Sequence, residues 1–170
     1  MAHHNHSLRQ YGNVLGGSRI SDACRSAFEQ WHGCVKAMMS AIADPEKLEE
    51  RAEARFMKFV GKHVDDSVEL CPPVYYSTYT GKGPFSVILT SVAKVFGTTF
   101  TYHRQWLSDN GQEWALEFTA DGLGGTHKSI RGIDLVTLNE EGKITNFRIL
   151  AGWSSTRLSS WPVVCNFPSL

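Results

Sequence analysis

Residues 130–150 read IRGIDLVTLNEEGKITNFRIL, and their pattern decides the fold. Apolar and polar residues alternate on either side of the polar segment 139–143, which is typical of two antiparallel strands joined by a turn. One carboxylate, Asp134, interrupts the apolar row of the first strand. Because alternate residues of a strand share a face, an inward Asp134 predicts the same orientation for Ile130, Gly132, Val136 and Leu138.

An inward Asp134 has a consequence for its chemistry. Burial among apolar residues penalises a carboxylate anion, so the group must be protonated or well hydrogen-bonded. Two interpretations follow from this position. Asp134 is either a polar group in a ligand pocket or a structural residue that is bonded to the backbone or to a neighbouring strand.

The remainder of the chain shows helical patterns first and strand patterns later. Apolar residues recur at three- and four-residue steps after a helix-capping Ser21 or Asp22, and a second helix is predicted to begin at Pro45. A third helix is predicted over 84–96, and strands follow, with a hairpin signal at Asn110-Gly111. The order predicts an α+β fold in which three helices cover one face of a curved sheet.

Length and charge limit the organisation and the partners. The chain has 170 residues, with 17 basic and 17 acidic side chains and no apolar run long enough to span a membrane. We expect one domain over 20–170, preceded by a flexible segment 1–19. Neither nucleic acid nor a membrane surface is expected as partner, since both favour a basic excess. The four cysteines lack metal-site spacing and are interpreted as reduced thiols of a cytoplasmic protein.

Three strings carry a resemblance to a known family. HVDDSVELCPP at 63–73, YTGKGPFSVIL at 79–89 and GIDLVTLNEEGKITNF at 132–147 occur in this order within a region from about Trp31 to Trp153. Together they resemble the nuclear transport factor 2-like superfamily, which includes ketosteroid isomerases, SnoaL-type polyketide cyclases, scytalone dehydratase and limonene epoxide hydrolase. The resemblance implies a cone-shaped mixed or antiparallel sheet wrapped by helices, a pocket inside the cone, and a homodimer formed through the outer face of the sheet.

The resemblance also bears on the site. In ketosteroid isomerases the position of Asp134, nine residues before the lysine of the turn, is the protonated acid of the oxyanion hole. The general base of those enzymes corresponds here to Cys71, next to Pro72, and a thiol is a poor substitute for a carboxylate base. The helical tyrosine of that family has no clear match near Lys36–Met39. Allylic isomerisation with the usual residues is therefore not expected.

The strand pattern TFTYHRQWL at 99–107 contains a candidate partner for Asp134. The resemblance predicts two sets of side chains on this strand. The set facing the pocket is Thr101, His103, Gln105 and Leu107. The set facing outward is Tyr102, Arg104 and Trp106, together with Glu117 of the next strand. His103 is then predicted to act with Asp134 as an acid–base pair. Two aromatic residues on the outward side leave two alternatives open: a dimer interface on that face, or a register that is off by one residue.

The predicted function has two alternatives. The first is a cofactor-independent acid–base enzyme of the isomerase, cyclase, dehydratase or epoxide hydrolase type, acting on a small apolar molecule that bears oxygen. The second is a non-catalytic ligand-binding or dimerisation module, which the missing base at Cys71 favours. An open pocket would indicate the enzyme, and a pocket filled by side chains would indicate the module. The predicted substrate-binding residues are Trp31, Tyr75, Tyr76, Leu116, Phe118, Phe147 and Ile149.

Overall fold

The computed structural model describes residues 20–73, 77–122 and 129–154. Within these ranges it contains three helices and six strands. The helices are α1 (Asp22–Ala43), α2 (Pro45–His63) and α3 (Lys82–Phe96). The strands are β1 (Val64–Cys71), β2 (Tyr79–Thr80), β3 (Thr101–Leu107), β4 (Glu113–Asp121), β5 (Ser129–Leu138) and β6 (Ile144–Ser154). The predicted flexible segment 1–19 and two predicted ligand contacts, Tyr75 and Tyr76, lie outside the described residues.

The six strands form one mixed, open sheet in the order β2-β1-β6-β5-β4-β3. All neighbouring pairs are antiparallel except β1 and β6, which run parallel. The three helices pack against one side of this sheet through a continuous apolar core. The predicted α+β fold is confirmed. None of the helices in the described ranges has the length and apolarity needed to cross a membrane.

The helix boundaries follow from local sequence. Ser21 caps α1, and its hydroxyl accepts a hydrogen bond from the Cys24 N–H at 3.2 Å. Pro45 starts α2, where its missing N–H costs no helical hydrogen bond. The third helix begins at Lys82, two residues earlier than the sequence pattern predicts. It follows Gly81, whose φ of 98° lies in the region that glycine adopts readily.

The turn between β5 and β6 has the predicted position and a defined structure. The Asn139 side-chain oxygen accepts hydrogen bonds from the N–H groups of Glu141 and Lys143, both at 3.0 Å. Gly142 has φ 72°, and a Cβ at this position would lie 2.6 Å from the Ala23 backbone. Only glycine therefore fits where the turn packs against the start of α1.

One irregularity in β3 changes which side chains face the helices. Tyr102 pairs with Phe118 and Gln105 pairs with Leu116, so the interval of three residues on β3 opposes an interval of two on β4. The extra residue is a β-bulge, which reverses the alternation of faces. Tyr102 and Gln105 therefore both point inward, although the predicted regular strand has Tyr102 outward. The predicted inward orientation of Thr101 is wrong for the same reason, since Thr101 is exposed.

Candidate active site

Asp134 lies in the middle of β5, at the centre of the sheet. It pairs with Leu116 on β4 and with Ile149 on β6. Its side chain faces the helices, and the residue is only 4% exposed. The neighbours on its face are buried too, as the alternation in the sequence predicts: Ile130, Gly132, Val136 and Leu138.

Two side chains form a hydrogen-bonded chain with the Asp134 carboxyl group. The Tyr102 hydroxyl donates to Asp134 Oδ2 at 2.5 Å. The same hydroxyl oxygen accepts a hydrogen bond from the indole Nε1 of Trp31 at 3.3 Å. Trp31 comes from α1 and Tyr102 from β3, so a helix and an edge strand together fix the polar group of the central strand.

Burial changes the protonation of Asp134. Desolvation raises the pKa of this carboxyl group from its ordinary value of 3.8 to about 7, and the hydrogen bond from Tyr102 opposes the rise. Near neutral pH the group is therefore present in both its neutral and its charged form. A carboxyl group with this pKa can both donate and accept a proton near neutral pH.

A second polar pair lies beside Tyr102. The His32 ring contacts the Tyr102 ring edge-on, with 5.4 Å between ring centroids. Burial lowers the pKa of His32 to about 4, against a hydrogen bond with Gln105 that raises it. His32 is thus neutral at neutral pH and adds no positive charge that would keep Asp134 ionised.

A cavity of about 50 Å³ adjoins the carboxyl group; we call it the inner chamber. Trp31, Phe147 and Ile149 line it as the sequence predicts, and Tyr102 and Asp134 are its polar residues. The other lining residues are apolar and come mainly from the helices: Val35, Met38, Met39, Phe56, Leu89, Val92, Ala93, Phe96 and Phe100.

The predicted lining by Leu116 and Phe118 is wrong. Both side chains are on the inward face and fully buried, but neither borders the inner chamber. The Phe118 ring packs against those of Phe96 and Phe100, at centroid distances of 5.5 and 5.2 Å, and so belongs to the packed core.

Several solved structures share this fold. A steroid delta-isomerase from Pseudomonas aeruginosa is 25% identical with a TM-score of 0.59, and the match covers 78% of this chain and 82% of that one. A protein with a cystatin-like fold from Silicibacter pomeroyi is 30% identical with a TM-score of 0.50, covering 74% of this chain and 77% of that one. The chain belongs to the nuclear transport factor 2-like superfamily.

A further superfamily member shares the fold at lower identity. A nuclear transport factor 2-like protein from Exiguobacterium is 13% identical with a TM-score of 0.51, and the match covers 74% of this chain and 98% of that one. No protein-family model matches the chain, and no curated protein matches it.

His103 does not join Asp134 in this member of the superfamily. The bulge turns His103 to the outer face of the sheet, where it is exposed and its Nε2 lies 2.7 Å from Thr119 Oγ1. The predicted pairing of His103 with Asp134 is therefore wrong. Tyr102 takes that place, and the signal for it is in the sequence. In a regular strand Phe100 and Tyr102 would share one face and Leu107 would lie on the other. Burying all three apolar side chains on the same face therefore requires a bulge.

Cys71, the residue that the resemblance aligns with the general base of ketosteroid isomerases, lies apart from Asp134. Cys71 is half-buried at the end of β1, and its Sγ lies 3.3 Å from Thr78 Oγ1. It does not border the inner chamber. Among the described residues that line the chamber, Asp134 and Tyr102 alone carry groups that can lose a proton.

The outer face of the sheet has a charged pair of its own. Glu117 lies on this face, as predicted, but is buried there, and its carboxylate accepts a hydrogen bond from Arg104 at 2.5 Å. That hydrogen bond holds the pKa of Glu117 below its usual value. Three large apolar side chains are 38 to 50% exposed: Trp106, Leu135 and Leu150.

Proposed function

We propose that this chain is a cofactor-independent acid–base enzyme that acts on a small apolar molecule bearing an oxygen atom. The observation that carries the proposal is the buried Asp134 carboxyl group, with a pKa near 7 and a hydrogen bond from Tyr102, at the wall of an apolar chamber. An acid with a shifted pKa in an apolar cavity is typical of a catalytic site. The cavity can bind a small molecule, and a pKa near 7 suits proton transfer at neutral pH.

The chemistry follows from the two forms of the carboxyl group. In its neutral form Asp134 uses one oxygen to accept from Tyr102 and has a hydroxyl proton to donate to a ligand oxygen. The apolar walls exclude competing water, so this hydrogen bond is stronger than it would be in solution. As negative charge develops on the ligand oxygen, the Asp134 proton moves to it, and the resulting carboxylate takes up the proton that the attacking water or hydroxyl group releases.

Among the described residues that line the chamber there is no second carboxylate to act as a base beside Asp134, and this narrows the possible reactions. An allylic isomerisation needs a base that removes a proton from carbon as well as an acid at the oxygen. Opening of an epoxide by water, or by a hydroxyl group of the same molecule, needs an acid only at the epoxide oxygen. The single acid thus favours the epoxide hydrolase or cyclase types over the isomerase type, although one of the similar solved structures is a steroid delta-isomerase.

The alternative is a binding module without catalysis, and one observation favours it. The inner chamber of about 50 Å³, which Trp31 lines, is far smaller than the ~300 Å³ or more of typical ligand sites. In that case Asp134 and Tyr102 would position a ligand oxygen and transfer no proton.

The experiment uses three apolar test substrates: a β,γ-unsaturated ketone, an alkyl epoxide and a γ-hydroxy epoxide. We expect turnover of at least one, with the rate falling as pH rises through about 7 because the neutral acid is the active form. Asp134→Leu should lose roughly 2–4 kcal/mol of transition-state stabilisation. Asp134→Asn separates the roles: it retains much activity if Asp134 only donates a hydrogen bond, and it is nearly as impaired as Leu if Asp134 transfers a proton.

Melting temperature, measured on each variant, shows whether a loss of rate reflects a loss of folded protein. Unchanged turnover in folded Asp134→Leu would refute the catalytic role. Binding of these compounds without turnover of any of them would favour the binding module.

A further inference from the structure

A second and larger cavity lies outside the inner chamber. Its volume is about 280 Å³, and we call it the outer cleft. It is formed where the three helices meet, and its walls are mainly apolar, with the two charged side chains Glu53 and Lys94 on exposed positions. The lining residues that it does not share with the inner chamber are Ala41, Ile42, Ala52, Glu53, Thr90 and Lys94.

The outer cleft and the inner chamber share three lining residues, one from each helix: Met38 of α1, Phe56 of α2 and Ala93 of α3. These residues, which we call the helix ring, are the boundary between the two cavities. Met38 is only half-buried and has a flexible, unbranched side chain, so it can move aside without breaking a hydrogen bond.

The volumes of the two cavities indicate which part of a ligand each can hold. An engineered cavity of about 150 Å³ holds one benzene molecule, so a chamber of about 50 Å³ accommodates an oxygen and a few carbon atoms. The outer cleft, at about 280 Å³, is near the lower end of ordinary ligand sites. The inner chamber alone is too small for a typical ligand, whereas an elongated molecule that passes through the helix ring would use both cavities.

We propose that the outer cleft binds the apolar body of the molecule whose oxygen is held at Asp134. The substrate class is then a slender, mainly apolar chain with an oxygen group at or near one end, such as an alkyl ketone, alcohol or epoxide. This inference rests on the proposed function, because the position of the ligand oxygen is taken from it. The polar end enters first, and the charged side chains at the cleft remain next to solvent.

The test measures binding of straight-chain methyl ketones from propanone to the eight-carbon member, by NMR of methionine methyl groups. Met38 lines both cavities, Met39 lines only the inner chamber, and Met57 is half-exposed and lines neither. We expect saturable shifts at Met38 and Met39 but not at Met57. Affinity should rise roughly fourfold for each added methylene that enters the cleft.

Two substitutions on α3 separate the cleft from the chamber. Thr90→Phe should fill the outer cleft and abolish the gain in affinity per methylene. Val87→Phe is the matched control, because Val87 is 68% exposed on the same helix and lines neither cavity. Ile42→Trp, on α1, provides a second way to fill the cleft if Thr90→Phe does not fold.

The outcomes distinguish this inference from the function on which it rests. Equal affinity along the ketone series, or an undiminished gain in a folded cleft-filling variant, would overturn the inference. Propanone binding that is unaffected by Asp134→Leu would instead overturn the proposed oxygen site. The gain along the series and its loss in Thr90→Phe would then still support the outer cleft as the site for the apolar chain.

Discussion

Replacing Asp134 by Asn should make the folded protein more stable at neutral and alkaline pH. Asn has the same shape and is never charged, and its side-chain oxygen can still accept the hydrogen bond from Tyr102. The wild-type carboxyl group, by contrast, must lose its proton inside an apolar chamber as the pH rises. The substitution therefore removes the desolvation cost of the charged form and leaves the packing in place.

The magnitude follows from the two pKa values. Burial raises the pKa from 3.8 to about 7 on folding, so the folded state holds this proton more tightly than the unfolded state. The contribution of Asp134 to stability is complete below about pH 4, declines as pH rises and is lost above about pH 7. Each pH unit in this window corresponds to ~1.4 kcal/mol, which gives a total of about 4 kcal/mol.

Urea unfolding at intervals from about pH 4 to pH 8 would measure this difference. We expect the free energies of unfolding of the wild type and Asp134→Asn to differ little at pH 4 and to diverge in favour of Asn by about 4 kcal/mol at pH 8. Asp109→Asn is the control, because Asp109 is an exposed carboxylate in the turn between β3 and β4. A difference between wild type and Asp134→Asn that does not change with pH would refute the raised pKa.

Three further predictions concern other parts of the site and the sheet. Tyr102→Phe removes the hydrogen bond that lowers the pKa of Asp134, so the titration midpoint of this carboxyl group should rise. NMR of the labelled carboxyl carbon would measure the midpoint, and an unchanged value would contradict the hydrogen bond from Tyr102. Gly132→Ala should cost about 1–3 kcal/mol in urea unfolding, because its Cβ would lie 2.4 Å from the Leu150 carbonyl oxygen; wild-type stability would show that the strands can separate there. We also expect a homodimer through the outer sheet face, where Trp106 and Leu150 are about half exposed. Leu150→Lys should shift the sedimentation of the protein to that of a monomer. A wild-type protein that is monomeric at micromolar concentration would contradict this interface.

The sequence predicted the centre of the sheet well, and the reason is the regular alternation of β5. Each second residue from Ile130 to Leu138 is buried, so a single strand with an uninterrupted period of two placed Asp134 on the inner face. Edge strand β3 was less predictable because its bulge adds one residue and reverses the faces between Tyr102 and Gln105. That reversal exchanged Tyr102 for His103 as the neighbour of Asp134.

The cavities could not have been predicted from residue patterns. Whether an inward side chain lines a space or fills the core depends on how closely the helices approach the sheet, which is a long-range property of packing. Phe118 and Phe147 illustrate this, since both are inward and fully buried but only Phe147 borders the inner chamber. The helix ring depends in the same way on three helices that are distant in sequence.

In the proposed mechanism Asp134 is a proton donor near neutral pH. Difference infrared spectroscopy of the wild type against Asp134→Asn measures this most directly, because a protonated carboxyl group has a C=O stretching band that a carboxylate lacks. We predict a protonated-carboxyl band from Asp134 at about pH 5 that disappears with a midpoint near pH 7, the value to which burial raises its pKa. A carboxylate spectrum for Asp134 throughout the range from about pH 5 to pH 8 would contradict the account.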